Sequence, residues 1–283
     1  MYLTIANDPV DLVFGEEKAL RLIKEAGFDG IDLQTMHKRD LLNGHIEAAK
    51  NTKRLLEEIG LICNLAHAPF RSCRYGMDFD LSNPVFREIV NALEYASIVG
   101  AKYVVVHGIM TPMGPRTYES LQYNYQFFKA LAPYARQFGV CIALENVGEG
   151  LPNPLVVREL LRMLDDPCFV TLVDTGHARL CLVRPQDFIR DLPRGSLRGL
   201  HIQDNRGEKD DHLLPGMGTM NWDKILRALA EVGYEDNFNL EVHGFIKCFE
   251  PESIPAALKL AESVGRSCIR KLEQFRSELA TEQ

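Results

Sequence analysis

A helical period that closes on glycine, followed at once by an apolar run, recurs along this sequence. Glu16–Ala26 carries apolar residues at Ala19, Leu20, Leu22, Ile23 and Ala26. That spacing predicts a helix, and Gly27 is placed to cap it in the left-handed conformation. Gly60, Gly100, Gly139 and Gly233 stand in the same position after helical patterns over His45–Ile59, residues 85–99, Tyr118–Phe138 and residues 221–232. Further helices are expected over Pro154–Leu164, residues 185–192 and residues 254–279. Between the helices lie eight apolar runs: residues 2–7, Gly30–Gln34, and residues 61–66, 102–107, 140–145, 168–174, 197–202 and 237–241. These runs are mostly continuous, as expected of parallel strands covered on both faces. Such alternation leaves a closed eight-stranded α/β barrel or a doubly wound sheet. A dinucleotide-type sheet would show a glycine fingerprint after its first strand. None follows here, so the expectation is a single (β/α)8 TIM barrel over residues 1–283.

The composition narrows the setting. A formal net charge of −7, with no basic tail, argues against nucleic acid or an anionic membrane as partner. The seven cysteines are odd in number and widely spaced, with no Cys-x-x-Cys, which suggests a reducing cytosol rather than a disulfide framework. The N-terminus lacks a charged region followed by an apolar stretch, so no signal peptide is expected. No apolar run approaches the roughly 20 residues a membrane helix needs. A cytoplasmic location is the expectation.

In α/β barrels the active site forms at the carboxyl ends of the strands. The expected third to eighth strands end at His67, His107, Glu145, Asp174, His201 and Glu241. His177 follows Asp174 by three, and Asp210-Asp211-His212 lies in the loop after strand seven. Singly, each has a bland reading: a carboxylate caps the next helix, a histidine sits hydrogen-bonded at the core edge. Together they would crowd like charge on one rim, a cost that a bound cation resolves. Imidazole mixed with carboxylate suits Zn²⁺, Mn²⁺ or Fe²⁺. No cysteine ends a strand, which argues against a thiolate-rich structural zinc site. His37 and His45 are expected at the surface, and His243 as a packing residue beyond Glu241. The long polar loop over residues 71–84 suggests a functional reason for its length. Pro215-Gly-Met-Gly218 offers Gly216 and Gly218 as an anion-binding turn, or a plain turn before the next helix. Arg206, Arg179 and Lys247 are candidates to bind substrate hydroxyls or phosphate, or are solvated charges.

With these residues in view, the chain resembles the xylose-isomerase-like TIM barrel superfamily. The resemblance is carried by His201-Ile-Gln-Asp-Asn, Asp210-x-His212-Leu-x-Pro-Gly-x-Gly218, Asn221-Trp222, Glu145-Asn146 and Asp174-Thr-Gly-His177. That group holds sugar and sugar phosphate isomerases and epimerases, and the endonuclease IV type of abasic-site nuclease (AP endonuclease family 2). It implies a four-ligand metal site of Glu145, Asp174, His201 and Glu241. In the epimerases the two glutamates also act as the acid–base pair, and His177 resembles a substrate-contacting histidine. In the nuclease branch the resemblance implies three metals. His67, His107 and Glu145 would hold the first, the four-residue set the second, and His177, Asp210 and His212 the third.

Two features depart from the nuclease pattern. Gly176 stands where a cysteine is typical, and Val147-Gly148-Glu149 stands where Thr-Ala-Gly is typical. Phe70 would serve either as a wedge against DNA or as packing. The expected function is a divalent-metal isomerase or epimerase of a small sugar or sugar phosphate, using one to three ions. Glu145 and Glu241 would exchange a proton beside a carbonyl. The alternatives are a multi-zinc phosphoester hydrolase of the abasic-site type, the one reading that brings in DNA, and a non-catalytic metal- or sugar-binding protein. A homodimer using the last helix is compatible with the sugar branch.

Overall fold

The computed structural model describes residues 1–35, 41–70, 73–148 and 150–281. The surface expectation for His37 lies outside the described residues, as do Arg71, Ser72 and Glu149 from the readings of their loops.

Eight parallel strands form the barrel: β1 (Leu3–Ala6), β2 (Gly30–Gln34), β3 (Ile62–His67), β4 (Tyr103–Val106), β5 (Cys141–Glu145), β6 (Phe169–Asp174), β7 (Leu197–His201) and β8 (Phe238–Leu240). They pair in the order β7-β6-β5-β4-β3-β2-β1-β8. The last gap is spanned by a parallel bridge of Ile202 to Leu240, where the Ile202 N–H donates to the Asn239 carbonyl at 2.9 Å. The result is a nearly closed single (β/α)8 TIM barrel.

The helices, in chain order, are α1 (Asp8–Phe14), α2 (Glu16–Ala26), α3 (His45–Ile59), α4 (Pro84–Val99), α5 (Tyr118–Phe138), α6 (Pro154–Leu164), α7 (Thr175–Leu180), α8 (Pro185–Asp191), α9 (Trp222–Glu231), α10 (His243–Ile246) and α11 (Ile254–Thr281). Three of them, α1, α7 and α10, of seven, six and four residues, are not expected from the sequence. Short helices of this kind depend on their ends. The Asp174 side chain starts α7 by accepting the His177 N–H at 2.6 Å.

Alternation along the strands sets the site on an apolar plug. Leu65, Val105, Ala143 and Leu172 lie two residues before His67, His107, Glu145 and Asp174, so they share the inward face one layer below. With Tyr103 and Val170 they form one buried cluster. Each large side chain there contributes roughly 1.5–3 kcal/mol relative to exposure.

Helix α11 buries Ala257, Leu258, Ala261, Cys268 and Leu272 against its own barrel. Arg266 fastens it, donating to Asp29 and to the Gly27 carbonyl, both at 2.8 Å. No helix among the described residues is long and apolar enough to cross a membrane.

Candidate metal centre

His201, wholly buried at the end of β7, forms the floor of the site. Its Nε2 stands 3.1 Å from Asp32 Oδ2, and its Nδ1 stands 3.0 Å from Glu145 Oε1 and 3.4 Å from Glu241 Oε2. Asp32 lies in the middle of β2, and the same Oδ2 accepts from Gln34 Nε2 and Asn239 Nδ2, both at 3.2 Å. With two amide N–H groups already donating to it, that oxygen acts as an acceptor, so His201 donates from Nε2 and turns Nδ1 towards the two glutamates. That nitrogen then needs a proton or a metal ion. Burial alone would push the imidazole down, but Glu241, Glu145 and Asp32 hold it well above its ordinary value.

Asp174 joins from the end of β6. One oxygen caps α7, as the bland reading of a strand-end carboxylate has it. The other, Oδ2, lies on the side of Gln203 Nε2, at 3.5 Å. Glu145, Asp174, His201 and Glu241 each offer a donor atom, and these lie within 4.8 Å of one another.

Two further sets flank this one, His67 with His107 and Glu145, and His177 with Asp210 and His212. In the first, His67 Nδ1 donates to the Ala68 carbonyl at 2.8 Å, so its Nε2 presents a lone pair. That Nε2 lies 3.1 Å from His107 Nε2, which is itself 2.7 Å from Glu145 Oε2. In the other, His212 Nδ1 donates to the Glu241 carbonyl at 3.0 Å, which leaves Nε2 for Asp210 Oδ2 at 2.8 Å. His212 adopts φ 47°, a left-handed conformation that costs a non-glycine residue energy and recurs where function fixes geometry. Three histidines are thus held in tautomers whose free nitrogens face carboxylates, the arrangement expected of metal ligands. Glu241 Oε2, buried, accepts no hydrogen bond among the described residues. The donor chemistry fits a divalent cation.

The two glutamates are driven apart. Burial would raise Glu145, but His201, His107 and His177 hold it well below the usual carboxylate range. Burial raises Glu241 well above that range; Asp174 and Glu145 add to the shift, and His201 and His212 only partly oppose it. His107 is pushed down to about 4, chiefly by burial.

The site opens into a cavity of about 740 Å³, lined also by Phe70, Val147, His243 and the exposed Lys247. Phe70 stacks on His107 with ring centroids 4.2 Å apart, as a packing residue would. His243 stacks on His212 at 5.0 Å and lies 2.9 Å from Asp8, so it belongs to the cavity wall. His45 is not a plain surface residue: it is half-buried against Glu94 at 2.7 Å.

Arg206, Gly216 and Gly218 are not among the residues that line this cavity. The anion that the glycine turn encloses is the chain's own Asp204. Its Oδ2 accepts from the Gly216 N–H at 3.0 Å and from Trp222 Nε1 at 2.9 Å. A Cβ at Gly218 would stand 2.2 Å from Asp204 Oδ1. Arg206 is 61% exposed, with Asp211 at 3.9 Å. Arg179 lies over Gly207. Gln203 and Asp204 enter the sequence reading only as part of the His201-Ile-Gln-Asp-Asn motif, and Asp32 not at all, although a charged residue inside a wholly buried strand such as β2 is a legible signal.

Similarity to known proteins follows the same lines. A D-tagatose 3-epimerase-like protein superposes with a TM-score of 0.80 at 21% identity, covering 97% of this chain and 99% of that one. A D-psicose 3-epimerase, solved in the presence of D-fructose, gives 0.75 at 13% identity, covering 95% and 99%. The IolI protein, solved with a zinc atom bound, gives 0.73 at 20% identity, covering 98% and 99%. Residues 20–264 match the family model described as xylose isomerase-like TIM barrel. The chain belongs to the xylose isomerase-like TIM barrel family.

Proposed function

We propose that this chain is a divalent-metal enzyme that isomerises or epimerises a small sugar or sugar phosphate. One observation carries the reading: Glu145 and Glu241 approach His201 Nδ1 at 3.0 and 3.4 Å on the floor of an open cavity. The cavity, about 740 Å³, is within the usual range for small-molecule sites. The sugar epimerases among the solved neighbours support the class of reaction.

An ion held by Glu145, Asp174, His201 and Glu241 would supply Lewis-acid polarisation of a substrate carbonyl. Proton exchange at the adjacent carbon falls to the two glutamates. Glu145, kept ionised by three imidazoles, removes the proton. Glu241, whose Oε2 lies 3.4 Å from His201 Nδ1, returns one. Asp32 keeps His201 in one tautomer. His177 lines the cavity within reach of a hydroxyl, and Lys247 suits an anionic end.

A second reading is favoured by one observation. The sets around His67 and around His212 exceed what proton transfer at a single ion uses. Clustered ions would supply water activation and charge compensation for in-line displacement at phosphorus. Zinc, manganese and iron all suit the donors. Metal content per chain, measured on one sample that is also assayed against a ketose and aldose panel and an abasic-site duplex, separates the readings. Sugar turnover supports the isomerase. Strong duplex cleavage, lost in a His67→Ala/His212→Ala variant, overturns it. A sugar that binds without turnover would support the binding-protein reading.

A further inference from the structure

Gly176 and Gln203 are shaped around each other. A Cβ at Gly176 would stand 2.2 Å from the amide carbon of Gln203 and 2.4 Å from its nitrogen. With only hydrogen at 176, the Gln203 amide lies against that backbone, wholly buried. Its Nε2 donates to Asp210 Oδ1 at 2.6 Å and reaches Asp174 Oδ2 at 3.5 Å. Its Oε1 is buried and accepts no hydrogen bond among the described residues. A buried, unsatisfied amide oxygen is unfavourable, so stability alone would favour an apolar side chain here. The two carboxylates explain why an amide is present.

Asp210 is the more consequential partner. Its side chain is 38% exposed and would otherwise be free to turn to water. Gln203 commits Oδ1, so that Oδ2 alone faces His177 Nε2 at 3.2 Å and His212 Nε2 at 2.8 Å. The backbone beneath is fixed as well: Thr175 Oγ1 donates to the Gln203 carbonyl at 2.7 Å.

We infer that Gln203 is a positioning residue for the His177–Asp210–His212 set. It holds Asp210 so that this set takes a second divalent ion. The inference rests on the metal-enzyme reading only in that the principal set binds the first ion.

The test is titration of the metal-depleted full chain with Zn²⁺ by calorimetry, and with Co²⁺ by visible absorption. Gln203→Met keeps the volume without the amide. Gly176→Ala displaces the amide with a methyl. The wild type is expected to bind at least two ions. Each variant should weaken the looser ion by about 10–100-fold and leave the tighter one unchanged. Gly176→Ala/Gln203→Ala should be no worse than Gln203→Ala alone, because both changes remove the same contact. Thermal melts of the metal-free variants identify any that fail to fold; a loss confined to one ion in a folded variant is not general destabilisation. Unchanged affinities, or equal weakening of every ion, overturn the inference. A wild type that binds one ion overturns it and leaves the proposed function standing. A wild type that binds none overturns the proposed function itself.

Discussion

Asp32 Oδ2 lies 3.1 Å from His201 Nε2, between two side chains that are both wholly buried. The contact fixes which imidazole nitrogen faces the site, and a buried carboxylate partner raises the basicity of a metal-binding histidine. Asp32→Asn preserves the shape and removes the charge. It should weaken the first divalent ion by about 10–100-fold, read by chelator competition. Wild-type affinity in Asp32→Asn would show that the contact is packing alone.

The glutamates make a sharper demand. At saturating metal, Glu241→Gln should lower kcat for the sugar reaction by about 10²–10⁴-fold, with KM changed much less. A rise in KM at unchanged kcat would instead assign Glu241 to substrate binding.

Proton competition gives a third expectation. His212 is held up to about 9: burial opposes the shift, and Asp210, Glu241 and Asp174 outweigh it. His201 and His177 are likewise raised. Without metal, a raised imidazole contributes stability that is fully present below its ordinary 6.5 and is lost as pH climbs through about 9. Metal needs the deprotonated rings, so affinity should climb over that same window and each ion should displace protons. Calorimetry in buffers of different ionisation heat counts them. An affinity that does not change with pH would contradict this electrostatic picture.

A fourth expectation concerns the scaffold under Asp32. Gly30 pairs with Ile62 across β2 and β3, and a Cβ there would lie 2.2 Å from the Ile62 carbonyl oxygen. Gly30→Ala gains about 0.5–1 kcal/mol from the less flexible unfolded chain. Forcing the two strands apart costs about 1–3 kcal/mol, so the clash wins. Both the denaturation midpoint and metal affinity should fall. An unchanged midpoint would mean that the strands yield at no cost.

Much of this barrel could be read from the chain. The expected bounds of α2, α3, α5 and α6 coincide with the observed ones, because each has a long apolar period and a clear cap. The strand ends were legible because period two and barrel topology bring them to one rim. His107 and Glu241 stand one residue beyond their strands. Asp32 is legible only as a charge within a buried strand; its partner lies 169 residues away, and local pattern carries no tertiary pairing. The glycine turn shows a related limit: the partner of the Gly216 N–H is Asp204, twelve residues away within the chain. Gly176 is legible in the sequence only as a departure from a motif, and the fold shows Gln203 filling the space.

The central claim is proton exchange at carbon by Glu145 and Glu241 over a metal-binding floor. Its most direct test is incubation of the metal-loaded chain with a panel of ketoses and ketose phosphates in D₂O, followed by proton NMR. Deuterium is expected to enter beside the carbonyl of at least one sugar. That exchange should be lost on chelation and in Glu145→Gln or Glu241→Gln. No exchange with any sugar, together with metal-dependent cleavage of an abasic-site duplex by the same sample, would contradict it.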